Sequence, residues 1–406
     1  TTYDIDLAPL RIMRAQYALT PTAPARVTLP PDASGMLSVT FGSAKAGGSL
    51  NVATPATLRV YLAGQPHVVA ALIDAMLLRT AAAYVEDRDG RWTCLADLPL
   101  KSVGFGPHDW LFTDAQEPGQ PFGLLGEYFA FAQRFHFVDI DFAALCAAAS
   151  GDRLTLHLAV AGVPPSSRIA QQLVHLSADH LRLFCTPVVN LFTKEGVALK
   201  YDPQASNWPI PVQGTDDAVT EVWSVDRVCT GQGTVLRSSS DLMVHHMSDA
   251  NPRWTFVQHA RPAPAGTGRA AALRVAGAGG PAGAGGGVES LLVNVTCSNG
   301  DLPRSLPFGA SEGDMRMEGK TQAARKIALL DIPTAVTRLP RTNGALWKLI
   351  DQQTAHAIRL DPAGLPVLKE MLQQFAALSP REARHIDGIR ALSHRPVMTL
   401  MMRSSQ

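Results

Sequence analysis

The sequence predicts a β-rich α+β chain of several domains: sheets or β-sandwich-like domains, inserted helices and a helical C-terminal part. Three observations carry this. Short runs alternate apolar and polar residues with period two, as half-buried strands do. Segments of helical spacing interrupt them and dominate the last quarter. The chain has 406 residues, of which 46% are apolar and 17% charged, enough for sizeable cores and too apolar for a disordered tail.

The elements follow in order. ATLRVYLAG (56–64) alternates Leu58, Val60 and Leu62. In the next run (66–85), Pro66 suits a first helical turn, and Val69, Leu72, Ile73, Met76, Leu77 and Tyr84 keep helical spacing. One helix is therefore expected up to the turn signal Asp89-Gly90. RFHFVDI (134–140) reads as an aromatic strand, and RLTLHLAV (153–160) alternates Leu154, Leu156, Leu158 and Val160. SSRIAQQLVHL (166–176) reads as a serine-capped helix. A stretch rich in Pro, Gly, Asn and Asp marks a boundary near 200–215. Strands resume at EVWSVDRV (221–228), RWTFVQ (253–258), AALRVAG (271–277) and SLLVNVTC (290–297). The tract GAGGPAGAGGG (277–287) between the last two reads as a flexible loop. Helices follow at 344–360, after Asp361-Pro362 with Leu365, Leu368, Leu372 and Phe375 as inner stripe, and after Ser379-Pro380. IRALSHRPVMTL (389–400) returns to a strand. The expected domains are 1–205, 206–335 with the glycine tract, and 336–406 as a helical segment returning to a strand.

Charge excludes two partner classes. With 36 basic and 35 acidic residues the net charge is +1, so no global attraction to nucleic acid or to an anionic membrane follows. No apolar run reaches the roughly 18 residues of a membrane span. The first residues lack the pattern of a signal peptide, and the chain begins at Thr1, so a fragment is expected. Five widely spaced cysteines (Cys94, Cys146, Cys185, Cys229, Cys297) form no CxxC pair and read as reduced, cytosolic thiols.

Candidate chemistry is thin. His175 and His180 sit five apart, about 140° beyond one helical turn, so their rings leave different faces. His245 and His246 diverge on a strand. GASEG (309–313) matches the GxSxG elbow around Ser311, with Asp331, Asp351, Asp361, His356, His385 and His394 following in hydrolase order. An elbow needs a strand before the serine and a helix after it, and Leu306-Pro307-Phe308-Gly309 favours a polar loop. Gly277–Ala282 formally matches a dinucleotide loop, but its glycines would melt the helix such a loop must open. No metal or cofactor is expected. In GFGPHDWLFTD (104–114), Trp110 and Phe112 stand beside Gly and Pro. An aromatic pair on a loop either anchors a partner or plugs its own core, and these two are the candidate partner-binding residues. A serine hydrolase at Ser311 and a carbohydrate-binding β module with a Trp110 or Trp208 platform are the rival readings.

Six stretches in register are familiar: LLGEYFAFAQRFHFVDI (124–140), LRLFCTPVVNLFTKEG (181–196), EVWSVDRV (221–228), VNVTCSNGDLPRSLPFG (293–309), GALWKLIDQQTAHAIRL (344–360) and RHIDGIRALSHRPV (384–397). Together they resemble the TssF family (also called ImpG or VasA), baseplate wedge subunits of the bacterial type VI secretion system. The resemblance implies an architecture similar to contractile-phage wedge proteins and no catalytic residue. It implies assembly with TssG, TssK, TssE and a second TssF copy, docked beneath the inner membrane on the cytoplasmic side. The glycine tract departs from the family. The N-terminal helical segment and C-terminal end of the family are not matched, so the chain is expected to be a middle-to-late portion, monomeric when isolated.

Overall fold

Alternating burial builds the strands. In β1 (Leu10–Ala18) and β2 (Ala33–Ser43) one face turns inward, and the two pair antiparallel. The computed structural model describes residues 3–45, 48–50, 54–106, 109, 111, 121–149, 151–200, 205, 207–211, 220–238, 253–262, 269–276, 290–316, 324–338, 344, 347, 359–376 and 379–395. Contacts divide the chain into two compact units, 1–188 with 337–406, and 189–336.

In the first unit β3 (Thr57–Leu62) is followed by α1 (Pro66–Ile73), a π turn (Asp74–Leu78) and β4 (Thr80–Glu86). The single helix expected over 66–85 is thus a helix and a strand. At Arg79 the backbone N–H donates to Asp74 O at 3.0 Å, and the guanidinium pairs with the Asp74 carboxylate. Beyond it, the alanine run favours helix by propensity, but β4 pairs with strands on both sides and buries Ala83 and Val85. Tertiary pairing outweighs tenths of a kcal/mol of propensity. β5 (Trp92–Cys94), β6 (Leu100–Ser102), α2 (Pro121–Ala130), β7 (Phe137–Asp141), α3 (Phe142–Ala148), β8 (Arg153–Ala161), α4 (Arg168–Leu173) and β9 (Leu181–Leu183) complete the N-terminal part. Asp141 and Ser167 cap α3 and α4, accepting from the N–H groups of Ala144 and Ala170. The sheets run β1-β2-β8-β4-β5 and β6-β7-β3-β9, antiparallel throughout. One core joins them: Leu37, Phe41, Leu156 and Leu158 from the first sheet meet Val60, Leu62 and Ile140 from the second and Leu72, Leu145 and Leu173 from the helices. Fully burying each leucine contributes roughly 1.5–3 kcal/mol.

The second unit contains β10 (Phe192–Lys200), β11 (Trp208–Pro209), β12 (Glu221–Thr230), β13 (Val235–Ser238), β14 (Arg253–Pro262), β15 (Arg269–Ala276), β16 (Ser290–Ser298) and the short α5 (Leu302–Ser305). Its strand order is β10-β16-β12-β13-β14-β15-β11, antiparallel except for β13 with β14. The sheet folds over itself: Leu291, Val293 and Val228 share one core with Leu273 and Trp254, and Gln258 Nε2 donates across to Val222 O at 3.1 Å. The β10 pairing with β16 assigns 192–200 to this unit, ahead of the composition shift at 200–215.

The chain ends in α6 (Leu365–Ala376) and α7 (Pro380–Gly388). Asp361 caps the turn before α6, accepting from Gly364 N, and Ser379 stands at the start of α7. The strand expected at 389–400 is not formed over its described part, 389–395, where His394 Nδ1 instead bonds Leu360 O at 2.9 Å. Most of the helix expected over 344–360 lies outside the described residues, as does the glycine tract.

Candidate interaction site

Two charged residues stand alone in the aromatic run EYFAFAQRF (127–135), seven positions apart, with a break from helical geometry between them at Phe131. α2 carries the first, Glu127, and the 3₁₀ turn Ala132–Phe135 carries the second, Arg134. Glu127 is 5% exposed and Arg134 fully buried, and they form an ion pair. Both also hold the loop 104–111. Arg134 donates to Gly104 O at one end, and Glu127 Oε1 accepts from Leu111 N at 3.0 Å at the other. Gly104 has φ +101°, and a Cβ there would stand 2.9 Å from the Phe135 ring, so only glycine fits. Asp109 accepts from the N–H groups of Gly104 and Gly106 at 3.0 and 3.1 Å. Burial pushes the Arg134 pKa down, while Tyr3 and Asp109 oppose that shift. Trp110 and Phe112 lie outside the described residues, but Leu111 between them is buried.

The opposite side of α2 receives the C-terminal helices. Phe129 stacks on Phe375 with ring centroids 6.4 Å apart, Ile386 completes the cluster, and Tyr128 Oη meets His385 Nδ1 at 2.5 Å. Next to the loop, Arg59 grips Asp139 through two 2.8 Å hydrogen bonds and lies 4.7 Å over the Tyr3 ring. A cleft of about 340 Å³ opens there, lined by Asp4, Asp6, Asp109 and Asp139 among others.

A second polar network crosses three strands. Ser38 Oγ lies 2.8 Å from His157 Nδ1, and His157 Nε2 lies 2.7 Å from Glu86 Oε2, with Trp92 stacked on the imidazole at 3.8 Å. A carboxylate only accepts, so Nε2 carries a proton, and in the neutral ring Nδ1 accepts from the Ser38 hydroxyl. Burial lowers the His157 pKa, and Glu86 counteracts it.

On β12 the burial period is three. Val222, Val225 and Val228 are buried because the register with β16 slips twice, skipping Trp223 and Asp226. Each bulge turns an extra residue outward. Trp223 is half exposed, and Asp226 accepts from Ser224 Oγ and Thr296 Oγ1, both at 2.8 Å.

The remaining sequence candidates do not converge. Ser311 is exposed on a turn, with no strand in 306–310 and no helix in 311–316. His385 and His394 are engaged by Tyr128 and Leu360, and His356 lies outside the described residues. His175 is exposed, while His180 Nδ1 bonds the N–H and hydroxyl of Ser177; His245 and His246 are outside the described residues. Trp208 is only 6% exposed, so it offers no glycan platform. No metal-binding group of three ligands occurs among the described residues. Cys297 is buried and Cys94 exposed, and none of the five cysteines is in a disulfide. Among the described residues no helix is long and apolar enough to cross a membrane.

A family model described as "Type VI secretion system, TssF" matches residues 1–406. The chain belongs to the TssF family. The type VI secretion system component TssF1 of Pseudomonas aeruginosa PAO1 is 24% identical over 439 residues, covering 98% of this chain and 66% of that protein. The chain therefore spans just under two thirds of that TssF relative. A chain in the cryo-electron microscopy structure of the TssK-TssF-TssG baseplate subcomplex superposes with a TM-score of 0.71 at 22% identity, over 98% of this chain and 71% of that one. That likeness establishes a shared fold. The Glu127–Arg134 pair and the doubled bulge lie inside two of the stretches on which the TssF resemblance was read, LLGEYFAFAQRFHFVDI and EVWSVDRV.

Proposed function

We propose that this chain is a structural wedge component of the type VI secretion baseplate. It assembles with TssG and TssK, and with TssE and a second TssF copy, into the platform for the contractile tail, on the cytoplasmic side beneath the inner membrane. The observation that carries this is the family match over the whole chain, supported by the fold shared with a chain of the TssK-TssF-TssG subcomplex. A scaffold works through rigid buried surface rather than a reacting centre, and loops pinned by buried polar pairs suit that role. We read it as a non-enzyme; the hydrolase and glycan-binding readings have no support in the site geometry. Co-expression with TssG and TssK from the same genome tests the proposal. A stoichiometric complex on size exclusion is expected, and no association with either subunit would overturn it.

A further inference from the structure

α2 lies between two parts of the first unit that are distant in sequence, the loop 104–111 and the C-terminal helices α6 and α7. Alone it is a poor helix. Its ten residues, PFGLLGEYFA, include Gly123 and Gly126, each of which disfavours helix about two- to fivefold against alanine. No acidic residue stands in its first turn and no basic residue in its last, so neither end gains from the helix dipole. Helices shorter than about 12–15 residues are marginal on their own in water. The shape of α2 therefore depends on what packs against it. Packing does not require the glycine at 126: a Cβ there would meet no heavy atom of the described residues within 4 Å.

Two contiguous routes meet at this helix. The polar one is the Glu127–Arg134 pair, which ends at Leu111 N and Gly104 O. The aromatic one runs from the loop to α7. The Phe105 ring lies 5.1 Å from that of Phe135, Phe135 lies 5.7 Å from Tyr128, and Tyr128 Oη meets His385 Nδ1. Beside it, Phe129 stacks on Phe375 of α6. Phe129, Phe375 and Ile386 form a cluster of their own, apart from the main core of the unit. The helix pair is thus held by a satellite cluster centred on α2.

We propose that α2 is a conformational relay: docking of α6 and α7 keeps it helical, and α2 in turn keeps the loop 104–111 in place. A change at either end is then felt at the other. The relay is a property of this chain alone and stands apart from the baseplate reading. Linkage makes it reciprocal: releasing the loop weakens the docking of the helices by the same factor as releasing the helices weakens the hold on the loop.

Hydrogen exchange of the full chain tests the relay, read at the Leu111 amide, over α6 and α7, and over β8 as the control from the main core. Phe375→Ala removes the ring stacked on Phe129 and should speed exchange at Leu111 about tenfold, inside the range of about 5- to 150-fold usual for coupled sites. Exchange over β8 should not move. His385→Ala removes only the partner of Tyr128 and is the milder second variant should β8 quicken with Phe375→Ala. In the reverse direction, Glu127→Gln should speed exchange over α6. Gly126→Ala favours helix about fivefold, so adding it to Phe375→Ala should cut the tenfold effect at Leu111 to about twofold. Three results overturn the proposal: exchange at Leu111 unchanged while that over α7 rises, β8 quickening as much as Leu111 in both variants, or an effect at Leu111 that Gly126→Ala leaves at tenfold.

Discussion

The two units place their unusual residues on opposite sides of the surface. The first buries polar groups: Arg134 and Glu127 as an ion pair and His157 as a neutral ring, each with partners. The second has an almost wholly apolar core from Leu199 to Cys297 and carries leucines outside, on an arm that follows α5. The difference teaches how each element gets its shape. A buried ion pair tolerates one arrangement, because any other leaves a charge without water or partner. The arm after α5 (306–316 and 324–338) is instead held by hydrogen bonds to the Asp301 and Asp314 carboxylates and leaves Leu306, Leu330 and Ile332 exposed.

Breaking the buried pair is the hardest blow to this contrast. Arg134→Met should cost about 3–5 kcal/mol in urea unfolding, because Glu127 is left buried alone. Glu127→Leu with Arg134→Met should recover much of that loss; a single variant costing under about 1 kcal/mol would end the contrast. In the second unit Leu273→Ala removes a fully buried side chain from the folded-over sheet. A loss of about 3 kcal/mol is expected in the same assay.

Acid sharpens the contrast next. Burial pushes the His136 pKa down to about 4 from 6.5 and lowers that of His157. Between 6.5 and about 4 the unfolded chain binds a proton at His136 and the folded one resists it. The stability that neutral His136 confers is therefore complete above about pH 7 and lost as pH falls from 6.5 through about 4, and His157 acts in the same direction. A pH series of melting curves should show His136→Phe flattening that decline. The smallest effect belongs to the arm. Leu330→Ser should change the stability of the free chain by less than about 0.5 kcal/mol, and a larger loss by calorimetry would mean that the arm packs within its own chain.

Strands with a clean period of two were legible: Leu58, Val60 and Leu62, or Leu154 through Val160, announce their inward face. The serine cap at Ser167 and the aspartate cap at Asp361 were legible too, since capping is local. What escaped was decided at a distance. Thr80–Glu86 looks helical until β8 and β5 flank it. EVWSVDRV read as a strand, but two register slips give its valines a spacing of three, which no single-strand pattern encodes. Glu127 and Arg134 were visible as lone charges among aromatics, yet nothing local says they meet or that they fasten the chain at Gly104 and Leu111. The candidates Trp110 and Phe112 lie outside the described residues, and the hydrogen bonds near them are made at Gly104 and Leu111.

That fastening has a practical corollary. Gly104 and Leu111 are tied to the same pair of side chains, so both attachments depend on one ion pair. Hydrogen exchange at the Leu111 amide should therefore quicken in Arg134→Met, although Arg134 itself bonds the chain at Gly104.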